Sequence, residues 1–212
     1  MIPVENVLIC LGIPLLLSLG FVRKDIRRFT GAMLAGMLIS LLSAYISGFL
    51  AAAGNVDVEN TAVFLSPIVE EIMKYLPLLL YLLIFKPKNE NLLLVSVGIG
   101  IGFSTFENCC YFLSPGELGL AYVLIRGLAV GVMHLISAIL LAMGLCLVRR
   151  IGILSVSGIA GVLSISVTLH AIYNLLVSEP GVPSAIAYML PMAAALVTSI
   201  LYKKVWHNRA FG

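Results

Sequence analysis

Long unbroken apolar runs alternate with short polar punctuation along this chain. The runs lie at about 2–22, 31–53, 62–85, 92–113, 120–148, 151–177 and 185–202. Each is near the ~20 residues that a helix needs to cross the hydrocarbon of a bilayer. A transmembrane barrel would instead alternate polar and apolar residues over strands of about ten. The pattern therefore predicts an all-α, polytopic membrane helix bundle of about seven transmembrane helices, forming one integral-membrane domain over 1–212. Composition agrees: 61% of residues are hydrophobic and 11% charged, where a soluble domain carries about 25% charged residues. That excludes soluble enzymes and disordered regulators. The net charge of +3 is scattered over several short segments, so no nucleic-acid partner is expected and the lipid bilayer is the surrounding medium.

The charges between the runs are sorted. Of thirteen Lys and Arg, all but Lys74 and Arg126 fall in Arg23–Arg28, Lys86–Asn91, Arg149-Arg150 and a tail with Lys203, Lys204 and Arg209. The segments between these, Gly54–Asn60, Ser114–Gly119 and Ser178–Ser184, hold none. The positive-inside rule then puts the N-terminus outside and the C-terminus in the cytoplasm. The first run has no Lys or Arg before it and ends at Arg23-Lys24 without a small-residue cleavage site, so it reads as a retained span. Cys10, Cys109, Cys110 and Cys146 all lie in apolar runs without metal-like spacing and read as small buried hydrophobes. Gly98/Gly102 and Gly127/Gly131 have the small-xxx-small spacing of close helix contacts.

Against this background the ionisable residues inside the runs stand out, because each costs about 2.5–3.5 kcal/mol near the bilayer middle. They are Glu70, Glu71 and Lys74 in the third run, Glu107 with Asn108 in the fourth, Arg126 and His134 in the fifth, and His170 with Asn174 in the sixth. Arg126 reads as an interfacial anchor, and His207 in the tail as a solvated residue. At ~1.5 Å per residue, Glu70 lies roughly 12 Å below the outer end of its run, and Glu107 and His170 about 9–10 Å below theirs. His134 falls about 12 Å below Arg126, so all four share one level in the outer half of the membrane. Lys74 can pair with Glu70 or Glu71 by helical spacing. Pro67 and Pro77 bracket the two glutamates and are expected to open the helix there. Singly, each residue has a structural explanation: an ion pair, a helix-helix hydrogen bond, an anchor. Together, two carboxylates, two histidines and an amide at one depth suit activation of a water against an amide carbonyl, with N–H donors for the oxyanion. No cofactor is required for that. Zinc stays open, with Glu70, His134 and His170 as the ligands it would take.

These residues also sit in motifs. Glu70-Glu71-Ile72-Met73-Lys74 resembles the Glu-Glu-x-x-Lys signature of the PrsW family of intramembrane proteases, and Phe103-Ser104-Thr105-Phe106-Glu107-Asn108 resembles its Phe-x-x-x-Glu-Asn motif. His134 and His170 stand where that family has one histidine in each of two later spans. The family is grouped with the type II CAAX prenyl proteases. The resemblance covers about Phe64 to Asn174, within a catalytic-like core of about 62–177. It implies a glutamate-dependent intramembrane endopeptidase, earlier described as a metalloprotease. It casts Glu70 as the water-activating base with Glu71 beside it, and His134 as a holder of the water. His170 with Asn174 would stabilise the oxyanion, while Lys74 and Asn108 would be charge partners. The CAAX relatives have a histidine where this chain has Glu107, so the division of labour between Glu107 and His134 is open. The implied substrate is a single-span, membrane-anchored protein of the anti-sigma-factor kind, cut near the outer face of a prokaryotic plasma membrane. A non-catalytic membrane scaffold and a proton- or ion-coupled transporter are the competing readings; the absence of an internal repeat counts against the transporter.

Overall fold

The computed structural model describes residues 3–113, 119–151 and 156–207. Among them there are helices and no strands. In order they are α1 (Val4–Ser18), α2 (Lys24–Gly54), a short α3 (Val58–Asn60), a wide π-turn (Thr61–Leu65), α4 (Ser66–Phe85), α5 (Asn89–Phe112), α6 (Leu120–Ile151), α7 (Val156–Ser178) and α8 (Val182–His207). Within the described residues each apolar run falls on helix, but the ends differ. Lys24–Arg28 form the first turn of α2 rather than a loop, Asn89–Asn91 open α5, and Arg149-Arg150 belong to α6 rather than to a turn. A charge ends a hydrophobic run without ending a helix, because its side chain leaves the apolar layer while the backbone stays hydrogen-bonded. The helices stop for backbone reasons instead. Asn55 and Lys86, in the left-handed region with φ of 51° and 44°, close α2 and α4. The segment 114–118, Arg209, and the side chains of Arg150, Lys203, Lys204 and His207 lie outside the described residues.

Among the described residues five helices, α2, α5, α6, α7 and α8, are long and apolar enough to cross a membrane. Of the other two long helices, α1 has 15 residues and α4 carries Glu70, Glu71 and Lys74 within its 20. The chain is a multi-pass membrane protein.

α5 is the centre of the bundle, packed on α2 on one side and α6 on the other. Glycines permit both approaches. A Cβ on Gly102 would run into the Met33 carbonyl of α2, and one on Gly98 would sit 2.8 Å from both Ala32 Cβ and Phe29 O. On the opposite side a Cβ on Gly100 would lie 2.9 Å from the His134 carbonyl of α6. At Gly127 and Gly131, with the same spacing, an added Cβ would meet nothing within 4 Å. Their side-chain faces pack against no helix, because spacing permits an approach but cannot supply a facing helix. Of the cysteines only Cys146 is buried; Cys109 and Cys110 are half-buried and Cys10 is exposed on the thinly packed α1.

Among the described residues three basic segments meet at one end. Arg28 donates to Asn91 Oδ1 at 2.9 Å, and Arg149 to the Pro87 carbonyl at 2.7 Å and to the Asn89 side chain. Counted along their helices from that end, Glu70, Glu107, His134 and His170 all lie about 21–27 Å away.

Candidate active site

Four helices bring their ionisable residues together. α5 and α6 run antiparallel, and Glu107 lies two turns beyond Gly100, where the two backbones touch. Side chains lean toward the N-terminus of their own helix. Glu107 therefore leans back toward Gly100 while His134 leans outward, and they meet: His134 Nε2 lies 2.5 Å from Glu107 Oε2. α4 and α7 complete the cluster.

Glu71 is its hub. Glu71 and Lys74 are both fully buried, with no accessible side-chain surface. A buried charge is tolerated only when its oxygens are paired. Lys74 Nζ lies 2.6 Å from Glu71 Oε1, His170 Nδ1 is 2.8 Å from the same oxygen, and the Ser137 hydroxyl donates to Oε2. Lys74 has thus chosen Glu71 over Glu70. Its ammonium also reaches His134 Nδ1 at 3.0 Å and Ser137 Oγ at 3.3 Å, and lies 4.8 Å from the centre of the Phe103 ring. Phe103 in turn packs on the His134 ring, and the two imidazoles meet edge to face at 5.1 Å.

The partners dictate the tautomers. An ammonium only donates, so His134 Nδ1 accepts and its ring proton sits on Nε2, toward Glu107. A carboxylate only accepts, so His170 Nδ1 carries its proton toward Glu71 and Nε2 turns toward Glu70, whose Oε2 is 3.7 Å away. Glu70 is 17% exposed and Glu107 32%. Both line a cavity of about 130 Å³ between α1, α2, α4 and α5, walled by Val4, Leu41, Phe103 and Phe106. Water occupies about 30 Å³ per molecule, so the cavity has room for a few water molecules.

Arg126 is not a surface anchor. Its side chain is 13% exposed, donates to Asn108 Oδ1 at 2.6 Å, stacks 3.4 Å from the Tyr111 ring centre and lies 3.7 Å from Glu107. Turning inward gives the guanidinium two anionic or polar partners and a π-face, which snorkelling would forfeit. Asn108 holds Arg126 and, through Nδ2, reaches the Gly127 carbonyl at 3.5 Å. Asn174 stands one turn beyond His170, and its side-chain amide donates to the Ala62 carbonyl at 2.9 Å. Ser137 escapes sequence reasoning. Its one signal is a position three residues after His134, and serines are common in membrane helices.

Glu70, His134 and His170 offer one ligand atom each within 4.8 Å of one another. Two imidazoles and a carboxylate suit a catalytic zinc. His170 is oriented as a ligand should be, with its far nitrogen on a carboxylate. His134 is not, because its far nitrogen faces an ammonium and its near nitrogen carries the proton. Of the two imidazoles only His170 therefore has the outer partner usual for a metal ligand.

A family model described as PrsW family intramembrane metalloprotease matches residues 25–200. That range contains every ionisable residue of the cluster. No curated protein and no solved structure matches the chain significantly. With the match running from the start of α2 into α8, the chain belongs to the PrsW family of intramembrane proteases.

Proposed function

We propose that the chain is an intramembrane endopeptidase of glutamic type that cuts a single-span, membrane-anchored protein of the anti-sigma-factor kind near the outer face of a prokaryotic plasma membrane. The observation that carries this reading is the unequal treatment of two adjacent carboxylates. Glu71 is saturated by Lys74, His170 and Ser137, whereas Glu70 opens into the cavity that it shares with Glu107. Glu71 is the anchor of the site and Glu70 its base.

In this mechanism Glu70 takes a proton from a water, and His170 Nε2, steadied through Nδ1 by Glu71, accepts the water's second hydrogen bond. The oxygen adds to the scissile carbonyl carbon. His134 Nε2–H, which faces Glu107 in the resting site, turns its donation to the oxyanion, while Arg126 keeps Glu107 paired and adds positive potential. The proton held by Glu70 then passes to the amide nitrogen, the C–N bond breaks, and a carboxylic acid and an amine leave. A positioned base supplies about 10²–10⁴-fold.

α1 and α4 are read as spans in addition to the five apolar helices; the gathering of Arg28 and Arg149 at one end supports a cytoplasmic orientation for that end, with the site toward the outer leaflet.

The test is cleavage of a model single-span protein in proteoliposomes by wild type, Glu70→Gln and His170→Ala. Glu70→Gln loses about 10²–10⁴-fold in rate, and His170→Ala is also strongly impaired. Full cleavage in both variants overturns the mechanism, and substrate-independent proton flux would transfer the site to a transporter.

A further inference from the structure

The helix that delivers Glu70 and Glu71 changes register just before them. Ser66 N–H donates to the Thr61 carbonyl, five residues back. In an α-helix it would serve Ala62, four residues back. The next main-chain nitrogen is Pro67, which has no hydrogen. The wide turn and the proline together leave the Ala62 carbonyl without a main-chain donor. Asn174 Nδ2 supplies one from α7, at 2.9 Å.

We propose that Asn174 is a positioning residue: its amide replaces the donor that Pro67 removes and so holds the wide turn from which the two glutamates project. The same face of α7 grips the glutamate helix twice. His170 takes Glu71 at 2.8 Å, and Asn174, one turn on, takes Ala62. Two grips set both the rotation and the axial position of α4 against α7. Rotation is the sensitive quantity. A π-turn inserts one residue, and one residue is about 100° of helix rotation. That is also the angle between neighbouring side chains, so the wide turn decides which of the adjacent carboxylates faces His170 and Ser137 and which faces the cavity. Asn174 thereby acts on the base through the backbone and does not touch the substrate.

The proposal is tested by suppression in the full-length protein, with Asn174→Ala, Pro67→Ala and the double variant each followed by melting temperature in detergent and by cleavage kinetics in proteoliposomes. Asn174→Ala lowers the melting temperature by about 2–8 °C. It lowers kcat about ten- to a hundredfold, as a misplaced reacting group does, with KM within about twofold. Pro67→Ala in that background returns an N–H beside the orphaned carbonyl and restores both quantities most of the way. Asn174→Asp, which keeps the size but loses the donor, is at least as impaired as Asn174→Ala. An Asn174→Ala protein with wild-type melting and lost cleavage, or a loss that Pro67→Ala leaves unrepaired, overturns the proposal and returns the amide to the substrate. If Asn174→Ala fails to fold, a folded double variant supports the proposal and an unfolded one overturns it. The kinetic arm rests on the protease reading and the melting arm does not: a wild type that cleaves nothing, with the melting pattern intact, removes the protease and leaves the clamp.

Discussion

Replacing Lys74 by methionine takes the cation out of a pocket that has no accessible surface and leaves a carboxylate behind. Three polar contacts of Nζ disappear: Glu71 Oε1 at 2.6 Å, His134 Nδ1 at 3.0 Å and Ser137 Oγ at 3.3 Å. Methionine fills most of the volume, so the loss is electrostatic rather than a cavity. Breaking a buried pair by removing one partner costs about 3–5 kcal/mol. For a chain of this length that is a drop of roughly 6–20 °C in melting temperature, at about 2–4 °C per kcal/mol. His170 and Ser137 still donate to Glu71, which places the expected value toward the lower half of the range. Glu71→Gln in the same chain removes the stranded charge, so Glu71→Gln/Lys74→Met recovers about 2 kcal/mol or more of the single-variant loss. The assay is thermal unfolding of wild type, both single variants and the double in one detergent at one scan rate, since unfolding of such proteins is a rate as much as an equilibrium. Lys74→Met within about 1 kcal/mol of wild type, or a double variant whose loss is the sum of the singles, would refute the picture of Glu71 as a charge neutralised by Lys74.

Other outcomes follow from the same contacts. Ser137→Ala leaves Glu71 Oε2 without its hydroxyl donor and costs about 1–3 kcal/mol; an unchanged melting temperature would remove Ser137 from the network. Gly102→Ala drives a methyl into the Met33 carbonyl, which cannot rotate away, and destabilises by about 1–3 kcal/mol or more. Gly127→Ala and Gly131→Ala meet nothing within 4 Å and are neutral or stabilising by up to about 1 kcal/mol, so equal melting losses at all three positions would contradict the packing. Cleavage persists after prolonged exposure to a zinc chelator, because His134 is turned to an ammonium and a carboxylate; loss of activity that added zinc restores would replace the proposed chemistry.

How much of this is legible in the sequence depends on whether a feature is local. The apolar runs are legible because bilayer thickness imposes a length, and the cluster members because an ionisable side chain in hydrocarbon is expensive enough to be conspicuous. Helix ends at Lys24, Asn89 and Ile151 are not legible, because hydropathy reports the solvent and not the hydrogen-bond ladder. The different lots of Glu70 and Glu71 are invisible in one dimension. They depend on a register shift at Thr61–Leu65, and Lys74 stands within helical reach of both. Arg126 had a cheap exit to the surface, and only the tertiary placement of Asn108 and Tyr111 makes the inward rotamer the better one. Gly127 and Gly131 show the converse, a spacing whose side-chain face meets no helix.

The glycines of α5 have a consequence some distance from where they act. With Met33 against Gly102 on one flank and the His134 carbonyl against Gly100 on the other, this helix is wedged and cannot roll about its own axis. Glu107, seven residues past Gly100, inherits the azimuth of that wedge. The aim of a carboxylate in the cavity is thus set two helical turns away, by the lack of a methyl group.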